Sequence, residues 1–279
     1  MENIRPLIRT ALKEDNAWHD ITSRATVPEK KFITADLVVK EKGVICGIDI
    51  VKEVFKMLDT KCCTKGCVND GAKVSEGAVI ARVAGPAKAI LAGERTALNF
   101  IGYLSGIATL TRKFVDKTKG TKAKILDTRK TTPGLRALSK YAVRCGGGYN
   151  HRMTLSDMAL VKDNHISAVK DIVGAVKKIR KYNPGVKVEV ECDTFGQVRE
   201  ALAAGVDIIM LDNMVPEDIK KAVRLIKRHR SSGKTIEIEI SGGVNIDTVE
   251  KLAKLGADRI SVGAITHSAP VLDISMEIK

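Results

Sequence analysis

Aromatic side chains are scarce in this sequence, at 4% of residues with a single tryptophan. Single-stranded nucleic acids are gripped by stacking bases on aromatic platforms along a basic groove, so the scarcity argues against that class. No run of about 18 uncharged apolar residues occurs, which excludes a transmembrane helix from expectation. The start of the chain mixes Glu2, Arg5, Arg9, Lys13, Glu14 and Asp15 with apolar positions. A secretory signal needs an unbroken apolar stretch there, and a transit peptide avoids acids. The expectation is a cytoplasmic protein that binds neither membrane nor nucleic acid. Zinc-ligand spacing is also missing: among six cysteines, Cys62, Cys63 and Cys67 cluster, but no second Cys or His pair follows. Reduced, partly buried thiols without a structural metal are expected, as in most cytosolic proteins.

What the chain does have is length and positive charge. Its 279 residues, 44% of them hydrophobic, suffice for one large domain or for a barrel with a smaller companion. The net charge of +14, from 47 Lys and Arg against 33 Asp and Glu, points to an anionic partner. Much of that charge falls on helical stretches, such as Lys177, Lys178, Arg180, Lys181, Lys220 and Lys221, where it reads as solvated surface. Composition does not select the anion.

Periodicity divides the chain in two. Ile4, Leu7, Ile8, Ala11 and Leu12 recur at helical steps, Thr34–Val39 reads as a strand, and Asp49–Leu58 as a second helix. Asp70-Gly71 and Glu76-Gly77 mark turns between short strands in Cys67–Pro86. This segment resembles the small sandwich of lipoyl- and biotinyl-carrier domains. Lys73 lacks the flanking residues of a modified lysine, so a structural β module is expected. After a helical stretch from Leu91 to Lys117, strands and helices alternate. The strands are read at Lys124–Asp127, Met158–Lys162, Val186–Glu191, Asp207–Leu211, Thr235–Ile240 and Arg259–Val262. Between them fall helices at Leu135–Arg144, Ala168–Lys181, Phe195–Ala204, Pro216–Arg230 and Asp247–Leu255. Repeated β-then-α units imply parallel strands with right-handed crossovers, closed or nearly closed into a barrel. The expected division is residues 1–110 and 111–267, with a tail, 268–279, that packs on the first part.

Active sites of parallel α/β barrels collect at the carboxyl ends of the strands, and those ends are rich in ionisable residues here. Asp127, Thr128, Arg129 and Lys130 follow the first strand; Lys162, Asp163, Asn164 and His165 follow the second. Glu189 and Glu191 alternate with valines, so both face one way; if the valines pack on helices, the glutamates face the interior. Such carboxylates need cations, and Lys130, Lys162, Arg129 or Mg²⁺ are available. Asp212-Asn213 closes the fourth strand. Ser241-Gly242-Gly243 and Val262-Gly263-Ala264 follow the last two, where barrels cradle phosphate on backbone N–H groups. Between the first two strands, Gly146-Gly147-Gly148 releases the chain into Asn150-His151-Arg152. Arginine forks suit carboxylates and lysines suit phosphates, so the rim wants a ligand bearing both.

The segments DTRKTTPGLRALSKYAVRCGGGYNHR and LVKDNHI resemble the signature of the quinolinate phosphoribosyltransferases. Gly93 to Asn99, Val188–Glu191, Leu211-Asp212-Asn213 and the two late glycine turns match that family in order, so the resemblance covers nearly the whole chain. It implies an incomplete parallel α/β barrel with an N-terminal α/β sandwich domain. It also implies transfer of phosphoribosyl from phosphoribosyl pyrophosphate to quinolinate, giving nicotinate mononucleotide, pyrophosphate and CO₂ in NAD biosynthesis. By the same resemblance, Arg129, His151, Arg152 and Lys162 hold the carboxylates of quinolinate. Lys130, Glu191 and Asp212 meet the ribosyl pyrophosphate and its Mg²⁺, with Thr128 beside them. Lys130, Lys162, Glu191 and Asp212 are the catalytic set, and Ser241, Gly242, Gly243, Val262, Gly263 and Ala264 take the 5′-phosphate. Arg95 reaches a neighbouring subunit's site, which makes a homodimer, or a hexamer built from dimers, the working unit. The sequence departs from the pattern at His19, where glycine is common, and at Ser139, where an acid is common. A molybdenum-associated relative shares the fold but lacks the full run from Gly146 to His165.

Overall fold

In the computed structural model, described for residues 4–169, 171–230 and 235–279, the chain forms two compact units. The first holds the chain up to Arg112 with Arg144–Gly147 and Ala269–Lys279; the second holds Lys113–Val143 and Gly148–Ser268.

The first unit begins with helix α1 (Arg5–Glu14), started by a proline in its first turn and burying Ile8 and Leu12 one turn apart. Helix α2 (Ile21–Thr26) is capped by Asp20, whose carboxylate accepts from the Thr22 N–H. Strands β1 (Phe32–Val39) and β2 (Gly43–Val44) lead to helix α3 (Ile48–Leu58). The Asp70 carboxylate caps α3 from a distant turn, accepting from the Gly47 and Ile48 N–H groups at 2.9 and 3.1 Å. Strands β3 (Cys63–Gly66), β4 (Lys73–Val74) and β5 (Val79–Pro86) precede the long helix α4 (Ala87–Lys117). β1 pairs antiparallel with β5, and β2 with β4. The Cys67–Pro86 segment is a β module, and Lys73 sits within β4 rather than at a hairpin tip.

The second unit alternates strand and helix. β6 (Lys124–Leu126), α5 (Arg136–Cys145), β7 (Ala159–Val161), α6 (Asp163–Val169) and α7 (Ile172–Tyr182) come first. β8 (Val188–Cys192), α8 (Phe195–Ala204), β9 (Ile208–Asp212) and α9 (Pro216–Arg230) follow. β10 (Glu237–Ser241), α10 (Val249–Lys254), β11 (Arg259–Ser261) and the one-turn α11 (Ala264–His267) complete the unit. The final strand, β12 (Ile274–Ile278), returns to the first unit and pairs antiparallel with β1.

The single helix expected at Ala168–Lys181 is instead two helices, α6 and α7. Asp171 is extended at the start of α7, with φ −156° and ψ 108°, and Lys170 lies outside the described residues. Apolar periodicity runs through both helices and so carried no sign of the break.

The six strands of the second unit form one parallel sheet in the order β6-β11-β10-β9-β8-β7. Strands β6 and β7 are consecutive in the chain yet stand at opposite ends of that order. The barrel is therefore open at their seam. Ile208, Ile209 and Leu211 of β9 and Ile238 and Ile240 of β10 are buried, and Glu239, between those two isoleucines, is buried on the opposite face of its strand. This is the incomplete barrel that the sequence implied, joined in the chain to an antiparallel sheet unit. Among the described residues no helix is long and apolar enough to cross a membrane.

Candidate active site

The open seam is where the glycine run delivers its cargo. Gly148 leaves α5, and Tyr149 makes a parallel bridge to Leu126. Its N–H donates to the Ile125 carbonyl at 2.8 Å, and its own carbonyl accepts from Asp127 at 3.1 Å. A fragment of backbone thus lines β6 where a strand is missing, and it carries Asn150, His151 and Arg152. The Arg152 guanidinium donates from Nη1 to the Met158 carbonyl at 3.0 Å, just before β7.

Two buried polar networks hold this fragment. In the first, Asp127 and Lys140 are both fully buried and form an ion pair. The Lys140 amine also donates to the His151 carbonyl at 2.9 Å. Asp127 further accepts from the His151 N–H at 2.8 Å and from the Asn150 amide at 2.5 Å. Burial pulls the Asp127 carboxyl up and the Lys140 amine down, while their mutual attraction opposes both shifts.

The second network lies beneath His151. Its Nε2 is 3.1 Å from Glu189 and 3.4 Å from Glu239, both fully buried. Its Nδ1 accepts from the Arg152 N–H at 2.8 Å, whereas Nε2 stands at ion-pair distance from the two glutamates with no hydrogen-bond partner among the described residues. Burial lowers the basicity of the imidazole, but the two glutamates outweigh it and lift His151 to about 9. The hydrogen bond onto Nδ1 opposes them by favouring the neutral, Nε2-protonated ring. Glu239 is also paired with Arg259 at 2.7 Å and accepts from the Ser261 hydroxyl. Glu189 makes neither contact, and burial and then Glu239 raise its carboxyl above the usual range against the pull of His151 and Arg259.

Above these networks a cavity of about 390 Å³ opens at the strand ends. Thr128, Arg129, Lys130, His151, Arg152, Lys162, Glu191, Asp212 and Ser241 line it, with Leu160 and Met210. Four cationic side chains thus converge on one concavity with two carboxylates. Lys162 stands 3.5 Å from Glu191. Burial and the nearby Asp212 push the Glu191 carboxyl up, against the pull of Lys162. The Arg129 Nε is buried with no hydrogen-bond partner among the described residues, a donor that a bound anion would satisfy. Burial, then the neighbouring Arg129, weakens the hold of Arg152 on its proton.

The glycine turns flank the cavity. Gly242 has φ +88°, and a Cβ there would lie 2.5 Å from the Asn213 backbone nitrogen, so a side chain is excluded. A Cβ at Gly263 would meet His267 and Lys130 at 3.1 and 3.3 Å. The Thr266 hydroxyl donates to the Lys130 carbonyl at 2.7 Å, pinning that loop. Gly242, Gly243, Val262, Gly263 and Ala264 are absent from the cavity lining, which includes Ser241 alone of that set. Arg95 belongs to the other unit, exposed on α4 in a groove of about 460 Å³ with His19 and Asp20. His165 is exposed, and its Nδ1 accepts from the Lys162 N–H at 3.1 Å.

Sequence reading placed Glu189 in the interior but gave it a lysine, arginine or metal as partner; in the fold its neighbour is His151. It gave no role to Lys140, Asn150, Arg259 or Ser261. Only Asn150 carried a signal, since it adjoins His151.

The geometry has clear parallels among known proteins. Sequence models of the quinolinate phosphoribosyl transferase N-terminal and C-terminal domains match residues 20–105 and 107–277. The nicotinate-nucleotide pyrophosphorylase [carboxylating] of Mycobacterium leprae is 43% identical over 279 residues, spanning 98% of this chain and 96% of its own. The solved structure of the nicotinate-nucleotide pyrophosphorylase from Francisella tularensis superposes with TM-score 0.92 at 40% identity, covering 99% of this chain and 96% of that one. The Ehrlichia chaffeensis protein of the same name superposes with TM-score 0.93 at 40% identity over the whole of both chains.

Proposed function

The chain belongs to the quinolinate phosphoribosyltransferase family, and on that premise we propose how its cavity performs the decarboxylating transfer of NAD biosynthesis. The observation that carries the reading is the convergence of Arg129, Lys130, Arg152 and Lys162 on one cavity with Glu191 and Asp212. A dicarboxylate and a sugar pyrophosphate together present the charges that this set complements.

Arg129 and Arg152 take the two carboxylates of quinolinate, with Lys162 beside them. His151 supports them from below: its ring nitrogens face Glu189, Glu239 and the Arg152 backbone, so it fixes the Arg152 backbone rather than donating freely into the cavity. Lys130 faces the pyrophosphate of the donor, and the turns at Ser241–Gly243 and Val262–Ala264 offer backbone N–H groups to the 5′-phosphate.

Glu191 and Asp212 fit Mg²⁺. They are hard oxygen donors on adjacent strands, and their mutual repulsion is what a divalent cation relieves. Held there, Mg²⁺ would supply charge neutralisation for the departing pyrophosphate. Lys130 adds a cationic contact to the same group. As pyrophosphate leaves C1 of the ribose, the ring nitrogen of quinolinate, positioned by the arginines, attacks the oxocarbenium-like centre. The 2-carboxylate then departs as CO₂, and the cationic ring nitrogen stabilises the electron pair left at C2 until a proton replaces it. No protein nucleophile is required; the side chains position and neutralise.

Nicotinate lacks the 2-carboxylate and leaves one arginine unpaired in the cavity. Its kcat/KM should fall at least about 100-fold below that of quinolinate, since unpaired buried polar groups discriminate strongly. Equal use of the two acids in a competition assay would contradict the dicarboxylate assignment.

The working unit is a homodimer, or a hexamer of dimers, in which Arg95 serves the neighbouring site. A 1:1 mixture of Arg95→Ala and Lys162→Ala chains, each inactive alone, then recovers about a quarter of wild-type activity, because half the dimers are mixed and each has one intact site. No recovery in proven mixed dimers would refute the shared site. The enzyme is cytoplasmic on this reading and binds neither membrane nor nucleic acid.

A further inference from the structure

Cys62, Cys63 and Cys67, neighbours in sequence, do not assemble a three-ligand cluster among the described residues. Two other cysteines do. Cys46 lies between β2 and α3, Cys145 ends α5, and Asp70 sits in the turn before β4. One donor atom from each, the two Sγ atoms and a carboxylate oxygen, lie within 4.8 Å of one another. All three belong to the first compact unit. We propose that Cys46, Asp70 and Cys145 form a binding site for a borderline-soft divalent cation of the zinc class, with water as the fourth ligand.

The donors are held before any ion arrives. The Cys46 N–H donates to the buried Ser105 hydroxyl at 3.0 Å, which fixes the backbone of the first ligand. Asp70 Oδ1 is locked by the Gly47 and Ile48 N–H groups at 2.9 and 3.1 Å. Hydrogen bonds of this kind orient ligating carboxylates. Gly71, at φ +89°, lets the Asp70 turn close on the end of α5: a Cβ there would lie 3.3 Å from the Cys145 carbonyl oxygen. The set is thus drawn from three separated segments, with the Cys46 backbone and the Asp70 carboxylate each fixed by hydrogen bonds and Cys145 at the end of α5.

Its chemistry favours a thiophilic ion. Two sulfurs and one oxygen suit Zn²⁺ or Co²⁺ and reject Mg²⁺ and Ca²⁺, which take oxygen ligands alone. The neighbouring Cys145, then burial and Asp70, hold the Cys46 thiol far above its usual range. Two thiolates beside a carboxylate would be strongly repulsive, and a divalent cation converts that repulsion into binding. The step balances as M²⁺ + 2 RSH + RCOO⁻ going to a complex of net charge −1 and two released protons. This donor set differs in kind from the all-oxygen pair Glu191 and Asp212.

The test uses the full chain, freed of metal and kept reduced by a non-chelating phosphine, titrated with Co²⁺ alone. One Co²⁺ per chain should bind with a sulfur-to-metal charge-transfer band, and Zn²⁺ should displace it. Calorimetry in buffers of different ionisation enthalpy should read about two protons released per ion. Cys46→Ser and Cys145→Ser should each weaken binding at least about 100-fold, and Asp70→Asn about 10-fold with its Oδ1 acceptor retained. Cys63→Ser, exposed and outside the cluster, should leave the band unchanged. Two independent cysteine variants keep the test sound if one fails to fold. The proposal is overturned by folded wild-type protein that shows no band at millimolar Co²⁺. It is equally overturned by a band that survives Cys46→Ser and Cys145→Ser, or that disappears in Cys63→Ser.

Discussion

Replacing Arg152 with alanine should lower kcat/KM for quinolinate by about 10²–10³, because truncating one partner of a buried charge-assisted contact costs about 2–5 kcal/mol. KM for phosphoribosyl pyrophosphate should change little. The reason lies in how Arg152 is placed. Its backbone N–H is tied to His151 Nδ1 and its guanidinium to the Met158 carbonyl, so the side chain is fixed across the barrel seam before substrate enters. Such preorganisation is what an electrostatic site must have in order to act without rearranging. Arg152→Lys should recover only part of the loss, since a lysine cannot reproduce the planar fork toward a carboxylate. Initial-rate kinetics with each substrate varied in turn check the prediction. An unchanged quinolinate KM and kcat would show that another group reads the acid.

The second large effect is on stability. Lys140→Met should destabilise the protein by about 3–5 kcal/mol, the usual cost of leaving a buried carboxylate without its cation. Asp127 would keep its donors from Asn150 and the His151 N–H but lose the only charge that faces it at contact distance among the described residues. In a unit of this size each kcal/mol is worth about 2–4 °C, so the melting temperature should fall by about 10 °C. Lys140→Met combined with Asp127→Leu should be less damaging than the sum of the two single changes, because the orphaned charge is gone. Activity should fall as well, since the Lys140 amine also holds the His151 carbonyl. Differential scanning calorimetry of the three variants settles the point; additive losses would mean that the pair is not coupled.

Much of this was legible in the sequence, for identifiable reasons. Parallel βα units write themselves as apolar runs alternating with helical periods, so the strands of the second unit fall within a few residues of their expected places. Helix α8 lies on its expected residues because a local device fixes its start: the Thr194 and Gln197 side chains form a capping box. The site cations were legible because polar residues at the carboxyl ends of parallel strands have few structural reasons to be there. Side-chain alternation likewise placed Glu189 and Glu191 on one face of β8.

What escaped notice depends on contacts between distant segments. Lys140 sits in a helix whose two arginines, Arg136 and Arg144, look like solvent-facing charge, and nothing local marks it as fully buried. Its meaning comes from Asp127, across the turn at Pro133-Gly134. The pairing of Glu189 with His151 depends on how the glycine run folds back along β6, and the opening of the barrel between β6 and β7 depends on strand order. Cys46 and Cys145 are far apart in the chain, whereas the cysteines that are close in sequence share no ligand set among the described residues. Local pattern reports faces and ends; it does not report which distant side chains meet.

The most direct measurement of the whole account is a single reaction mixture of purified protein, quinolinate, phosphoribosyl pyrophosphate and Mg²⁺. The account predicts nicotinate mononucleotide, pyrophosphate and CO₂ in equal amounts, with no product when either substrate is omitted. Folded protein that forms neither the nucleotide nor CO₂ would contradict it.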